Sequence, residues 1–188
     1  MEKEIEILKE GGIGVFPTDT MYGLLGSALR SQTVERIYKV RRRNSSKPLI
    51  VLIGQIEDIQ QFGIDLNTLP EKIKTLWPGP FSILFSVTSP ESEYLHRGTH
   101  EIAFRLPDDK ELRELLKKTG PLVAPSANFE GDPPAQTIEE ARSCFGDIVD
   151  FYIDGGKRIA EPSTLVRIED GKVKVLRQGR GKIEGYSS

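Results

Sequence analysis

The sequence predicts an α/β (mixed α+β) fold: a single open, twisted sheet of parallel and antiparallel strands with flanking helices. Three observations carry this. Short apolar runs at 13–16, 49–53, 81–87 and 101–106 alternate with segments whose apolar residues recur at helical spacing, joined by short connections. The last two runs, 164–168 and 172–177, flank Asp170-Gly171, a hairpin signal, so the sheet cannot be entirely parallel. Hydrophobic residues make up 37% of the 188, ample for one core. Residues 1–188 therefore read as one domain, with 179–188, rich in Gly and Lys, expected to be a mobile tail.

The elements follow in order. Residues 2–10 carry Ile5 and Leu8 at helical spacing and stop at Gly11-Gly12; the strand 13–16 then ends at Pro17. Residues 17–24 read as a polar loop that places Thr18, Asp19 and Thr20 at a strand end, where ligand crevices form in α/β sheets. Ser31 is expected to cap a helix running to about Lys39, with Val34, Ile37 and Tyr38 on one face. A buried strand at 49–53 precedes a short helix to Phe62. Thr68-Leu69-Pro70-Glu71 reads as a capping box whose helix must stop at Trp77-Pro78. Strands 81–87 and 101–106 bracket a polar loop. Asp108 is expected to cap the helix 109–119, with Leu112, Leu115 and Leu116 inward and Gly120 as its stop. A short strand at 122–124 enters Pro125-Ser126-Ala127-Asn128. Thr137 to Glu140 is a second capping box, followed by a strand at 148–153 and the loop Asp154-Gly155-Gly156.

Charge and cysteine content narrow the function classes. Lysine and arginine number 26 against 28 acids, a formal net charge of -2, so any basic function must be local. Cys144 is the single cysteine, which permits no internal disulfide, fits a reducing cytosol and reads as a small core residue. No run reaches the roughly 18 apolar residues of a membrane span, and the charged start lacks a signal-peptide core. The expectation is a cytoplasmic protein.

One stretch stands out. Arg41-Arg42-Arg43-Asn44-Ser45-Ser46-Lys47 packs four cations into seven residues of an acidic chain. A solvated loop would relieve their repulsion, and so would a bound anion. Phosphate-loop, dinucleotide and serine-elbow signatures are absent. His96 and His100 are four apart, but Gly98 lies between them and no third ligand is near, so no metal site is expected. What remains are loops and strand ends carrying hydroxyls, amides and guanidiniums: Thr18 and Thr20, the basic stretch, Arg105, Ser126 and Asn128, Ser163 and Thr164, and Arg177. Such a set binds anions and positions them without a nucleophile, because an arginine fork pairs bidentately with phosphate or carboxylate.

Eight blocks in order resemble the YrdC-like family, the threonylcarbamoyl-AMP synthases. They are Pro17-Thr18-Asp19-Thr20-Met21-Tyr22-Gly23-Leu24, Arg41-Arg42-Arg43 with Lys47-Pro48-Leu49, Trp77-Pro78-Gly79-Pro80 and Arg105-Leu106-Pro107. Pro125-Ser126-Ala127-Asn128, Asp154-Gly155-Gly156, Pro162-Ser163-Thr164-Leu165-Val166 and Leu176-Arg177-Gln178-Gly179 complete the set. The length is similar to the family's short form. The resemblance implies a sheet with a concave positive groove. It implies synthesis of threonylcarbamoyl-AMP from L-threonine, bicarbonate and ATP with release of pyrophosphate, feeding modification of adenosine 37 in tRNA. ATP would be a substrate, bringing its own Mg²⁺, with no metal held by the protein. It also implies a functional link to the threonylcarbamoyl transferase complex.

By the same resemblance, Thr20, Arg105 and Ser163 contact threonine, with Arg105 on its carboxylate; Arg43, Lys47, Ser126, Asn128 and Arg177 contact ATP. Arg43, Lys47 and Arg41 are the catalytic set, acting on phosphates, with Arg41 where the family commonly has Lys. Arg42 is expected to be a solvated charge. The chain departs from the pattern at Leu52, at Glu101 where a threonine is common, and at Pro134-Ala135 where Ser-Pro is usual. The alternatives are an RNA-binding module using the same groove, with tRNA as a direct partner, and a paralogue with a different carbamoyl-type activity.

Overall fold

The structure, a computed structural model, describes residues 1–159 and 161–183. Its strands are β1 (Ile13–Pro17), β2 (Tyr22–Ser27), β3 (Ile50–Leu52), β4 (Phe81–Ser86), β5 (Glu101–Arg105), β6 (Leu122–Val123), β7 (Phe151–Tyr152), β8 (Thr164–Glu169) and β9 (Lys172–Arg177). Its α-helices are α1 (Glu2–Glu10), α2 (Ser31–Val40), α3 (Ile73–Leu76), α4 (Glu93–His96), α5 (Lys110–Thr119) and α6 (Ile138–Phe145). The described strands form one nine-stranded sheet in the order β7-β1-β2-β6-β3-β5-β4-β8-β9. It is mixed: β1/β7, β3/β5 and β4/β8 are parallel, and the other neighbours are antiparallel.

Side-chain alternation explains where the open groove lies. Val15, Leu24, Val51, Ile83, Phe104 and Val166 point into the larger core, which also takes Val34 and Ile37 from α2 and Phe145 from α6. The opposite face is covered over only part of its width. There Ile5 and Leu8 of α1, with Leu112, Leu115 and Leu116 of α5, pack on Phe16, Leu25, Leu52, Leu122 and Phe151, which belong to β1, β2, β3, β6 and β7. No helix contributes to that cluster over β5, β4 and β8. Arg105, Ala103, Leu84 and Leu165 on that face line an open cavity instead.

Several sequence expectations change here. β2 was read as the end of a loop, because Gly23 and Gly26 interrupt its apolar run, yet all six residues are buried. Gly26 serves packing: a Cβ there would lie 2.6 Å from Thr33 Cγ2 and 2.8 Å from Ile37 Cδ1, so only glycine lets α2 press onto the sheet. Arg30, not Ser31, is the N-cap of α2. The box at 68–71 does not form. The Thr68 hydroxyl donates to the nearer Asp65 carbonyl at 2.7 Å, and the helix shrinks to α3. Asp109, not Asp108, caps α5 by accepting from Leu112 N at 2.9 Å. At α6, Thr137 caps Glu140 N at 3.3 Å, while the Glu140 carboxylate reaches Gln136 N, one residue before the expected partner. The strand expected at 148–153 is ladder-paired only at β7.

The tail expectation also moves. Gly179 N donates to Thr164 Oγ1 at 3.0 Å, and Thr164 Oγ1 donates to the Gly181 carbonyl at 2.7 Å. A Cβ on Gly179 would lie 2.1 Å from the Pro162 carbonyl oxygen. Residues 179–181 are thus anchored to the start of β8 by buried hydrogen bonds, and 184–188 lie outside the described residues. No helix among the described residues is long and apolar enough to cross a membrane.

Candidate active site

The β1–β2 turn is built around one hydroxyl. Thr18 Oγ1 donates to Met21 O at 2.6 Å and accepts from Thr20 N and Met21 N, both at 3.2 Å. This fixes Thr20, whose Oγ1 accepts from Arg105 Nη1 at 3.0 Å. Asp19 in the same turn forms an ion pair with Arg105 Nη2, and Arg105 Nε donates to Gly79 O at 3.4 Å. Arg105 is 4% exposed. Burial pulls its guanidinium below the ordinary arginine value, and the Asp19 carboxylate opposes that pull. Nε and Nη1 each have a hydrogen-bond acceptor, whereas Nη2 meets Asp19 as an ion pair and has no hydrogen-bond acceptor among the described residues, so hydrogens remain on both terminal nitrogens. A guanidinium with hydrogens left on both terminal nitrogens is able to take a carboxylate bidentately.

The basic loop splits by role. Arg41, 3% exposed, donates from Nε to Asn128 O at 3.0 Å and from Nη2 to Ser126 Oγ and Asn128 Oδ1 at 3.2 and 3.1 Å. Burial, then the neighbouring Arg43 charge, lowers its pKa to about 10, so it stays charged at neutral pH. Arg41 therefore staples the basic loop to the loop 125–128. Arg43 donates to the Lys47 and Pro48 carbonyls at 3.3 and 3.2 Å and keeps its remaining hydrogens. Arg42 is exposed with φ 51°, and its guanidinium stacks 4.2 Å over the Phe129 ring. Exposure matches the expectation; the stacking could not be read from the sequence.

Lys47 pairs with Glu130 at 2.6 Å, and the second Glu130 oxygen accepts from Asn44 N. The Lys47 hydrogen bond, then the Asn44 amide, holds the Glu130 carboxyl below the ordinary glutamate range. A depressed folded value contributes stability above the ordinary glutamate value that is lost as pH falls through the depressed one. Glu130→Gln is expected to reproduce that loss at neutral pH, with faster hydrogen exchange at the Asn44 amide. Unchanged exchange in the variant would show that the bridge does not hold the loop.

Arg41, Arg43, Arg105 and Arg177 all line one cavity of about 400 Å³, together with Thr20, Ser126 and Ser163. Its floor is apolar, formed by Leu52, Leu84, Ala103 and Leu165. The Ser163 and Ser82 hydroxyls share a 2.8 Å hydrogen bond, and Arg177 Nη2 donates to Ser163 O at 3.0 Å. Two expected residues are not in its wall. Asn128 spends its amide on Phe129 O and Asp132 O, at 2.6 and 2.8 Å, besides accepting from Arg41. Lys47 stands with Glu130 at the edge.

Sequence reading left three participants without a role. Asp19 was noted only as a turn carboxylate, although its place two residues after Pro17 beside Thr20 was the available signal. Glu130, close to Asn128 in sequence, gave none. Glu101 lines the cavity and was noted as a departure; Arg167 Nη2 neutralises it, donating to its two oxygens at 2.7 and 2.6 Å. Pro134 is exposed. Burial pushes the Cys144 thiol up, away from thiolate reactivity. Buried His96 accepts from Gly98 N at 3.1 Å, and no group of three metal-capable side chains occurs among the described residues.

A family model described as "Telomere recombination", Sua5_yciO_yrdC, matches residues 6–179. The threonylcarbamoyl-AMP synthase of Bacillus subtilis is 32% identical over 180 residues, covering 92% of this chain and 51% of that protein. The threonylcarbamoyl-AMP synthase of Marinobacter nauticus is 31% identical over 171 residues, covering 86% of this chain and 87% of that protein. The crystal structure of Pyrococcus abyssi Sua5 complexed with L-threonine superposes with a TM-score of 0.83 at 28% identity, covering 94% of this chain. This chain spans about half the length of the Sua5 chain, 53%.

Proposed function

The chain belongs to the Sua5/YciO/YrdC family, and on that footing we propose that it makes threonylcarbamoyl-AMP from L-threonine, bicarbonate and ATP, releasing pyrophosphate. The observation that supports the proposal is that two groups of cationic and hydroxyl side chains line one cavity. Arg105 with Thr20 forms one, and Arg41, Arg43 and Arg177 with Ser126 form the other. An α-carboxylate suits the remaining terminal hydrogens of Arg105, with Thr20 and Ser163 in the same cavity. Polyphosphate suits the other arginines. Lys47 would guide the nucleotide at the edge, and Asn128 would act by holding Arg41.

The chemistry needs no nucleophilic side chain. The neutral amine of threonine adds to bicarbonate and water leaves, giving a carbamate. A carbamate oxygen then attacks the α-phosphorus, the bond to the β-phosphate oxygen breaks, and pyrophosphate departs. The protein holds the two substrates together and stabilises charge on the phosphates. Mg²⁺ would travel with the nucleotide. The product would pass to a transferase that modifies adenosine 37 of tRNA, a reaction sequence that belongs in the cytoplasm.

The test is incubation with ATP and bicarbonate plus each amino acid in turn, scoring pyrophosphate. Release is expected with threonine and not with its hydroxyl-free or carboxylate-free analogues. Equal release with all amino acids would sink the assignment.

A further inference from the structure

A second cavity, of about 440 Å³, is lined in part by Asp19 and Thr20 of the β1–β2 turn. Thr20 belongs to the walls of both cavities. Lys157, Arg158 and Arg180 line the second one, against two carboxylates, Asp19 and Glu161. Arg105 already neutralises Asp19. The ion pairs among the described residues include none to Lys157, Arg158 or Arg180. The Arg180 guanidinium and the Arg158 backbone are each tied by a hydrogen bond. Arg180 Nη1 donates to the Asp19 carbonyl, and the Arg158 amide donates to Gln136 O at 2.7 Å. Arg158 Nε is buried with no acceptor among the described residues. A buried donor left unmet is costly, and clustered cations repel, so the arrangement favours a small, highly charged anion with several oxygens.

From this geometry we infer that the second cavity, which adjoins the first at Thr20, binds inorganic pyrophosphate, the leaving group of the proposed reaction. The inference rests on the function proposed above. Its chemistry is specific: a diphosphate presents more oxygens than one arginine can satisfy, and two arginines and a lysine surround this cavity. A carboxylate ligand would leave donors unmet. Thr20 is shared with the first cavity but Arg43 does not line the second, so the second site does not depend on Arg43.

The test is calorimetric titration of the full chain with pyrophosphate alone, alongside pyrophosphate inhibition of turnover. Lys157→Ala/Arg158→Gln is expected to weaken pyrophosphate binding roughly tenfold or more, as for loss of charge-assisted bonds, and to leave the threonine KM unchanged. Arg43→Ala is expected to retain pyrophosphate binding. Wild-type affinity in the double variant overturns the inference. So does loss of binding in Arg43→Ala alone, which places the anion in the first cavity. A short single-stranded RNA whose binding falls in the double variant while pyrophosphate binding does not also overturns it, since the cations would then serve a nucleic-acid backbone. Pyrophosphate binding without threonine-dependent turnover would defeat the proposed function and leave the anion site standing.

Discussion

Arg105→Ala is expected to abolish threonine-dependent pyrophosphate release and to cost the fold about 3–5 kcal/mol, the usual penalty for removing one partner of a buried ion pair. Two losses combine. The Asp19 carboxylate, 12% exposed, would lose its counter-charge, and its Oδ1 already lacks a hydrogen-bond partner. Thr20 Oγ1 would lose the donor that orients it. Since the alanine variant can fail by unfolding, Arg105→Lys provides the separating measurement. Lysine keeps a positive charge near Asp19 but cannot offer two parallel hydrogens to a carboxylate. The lysine variant is expected to unfold within about 1–2 kcal/mol of wild type, in the range of ordinary single substitutions, while its threonine KM rises at least tenfold. A lysine variant with wild-type KM would remove Arg105 from the threonine site.

The second large effect is expected at Arg43. It lines the first cavity and anchors itself only to backbone carbonyls of Lys47 and Pro48, so truncating it leaves no buried carboxylate unpaired. Arg43→Ala should therefore reduce turnover by about 100- to 1000-fold, the range for losing one preorganised donor to developing charge, with an unchanged denaturation midpoint. Lys47, which the sequence groups with Arg43 in the catalytic set, differs. The exposed pair with Glu130 places Lys47 outside the wall, and a smaller loss is expected there, chiefly in ATP KM. Pyrophosphate release rates of the two variants, measured at saturating threonine, decide the matter; near-normal turnover in Arg43→Ala would overturn its phosphate role.

Much of the fold could be read in advance because its signals are local. The runs at Ile13–Pro17, Phe81–Ser86 and Glu101–Arg105, the Asp170-Gly171 turn and the leucines of α5 each declare themselves within a few residues. β2 could not be read that way. Its glycines weaken a strand locally, and their benefit, close approach of Thr33 and Ile37 to Gly26, appears only when α2 lies on the sheet. The misplaced caps at Ser31 and Asp108 are one-residue errors of the same origin, where a neighbouring residue adopts the extended backbone that capping requires.

Within the candidate site, residue types alone pointed to anions handled by placement and not by a nucleophile. Clustered arginines, a Thr-Asp-Thr turn and a Ser-Ala-Asn loop carry that chemistry wherever they fold. Only the tertiary structure decided which charges share a cavity. Arg41 and Asn128 turn toward each other and become scaffold with one free edge. Arg43, Arg105 and Arg177 face one cavity, Lys47 is tied to Glu130, and Lys157, Arg158 and Arg180 gather round another. The reason is electrostatic and geometric. A guanidinium's role depends on which acceptors lie within about 3 Å, and those acceptors come from strands and loops far apart in the chain, brought together by a sheet whose helices leave half of one face uncovered.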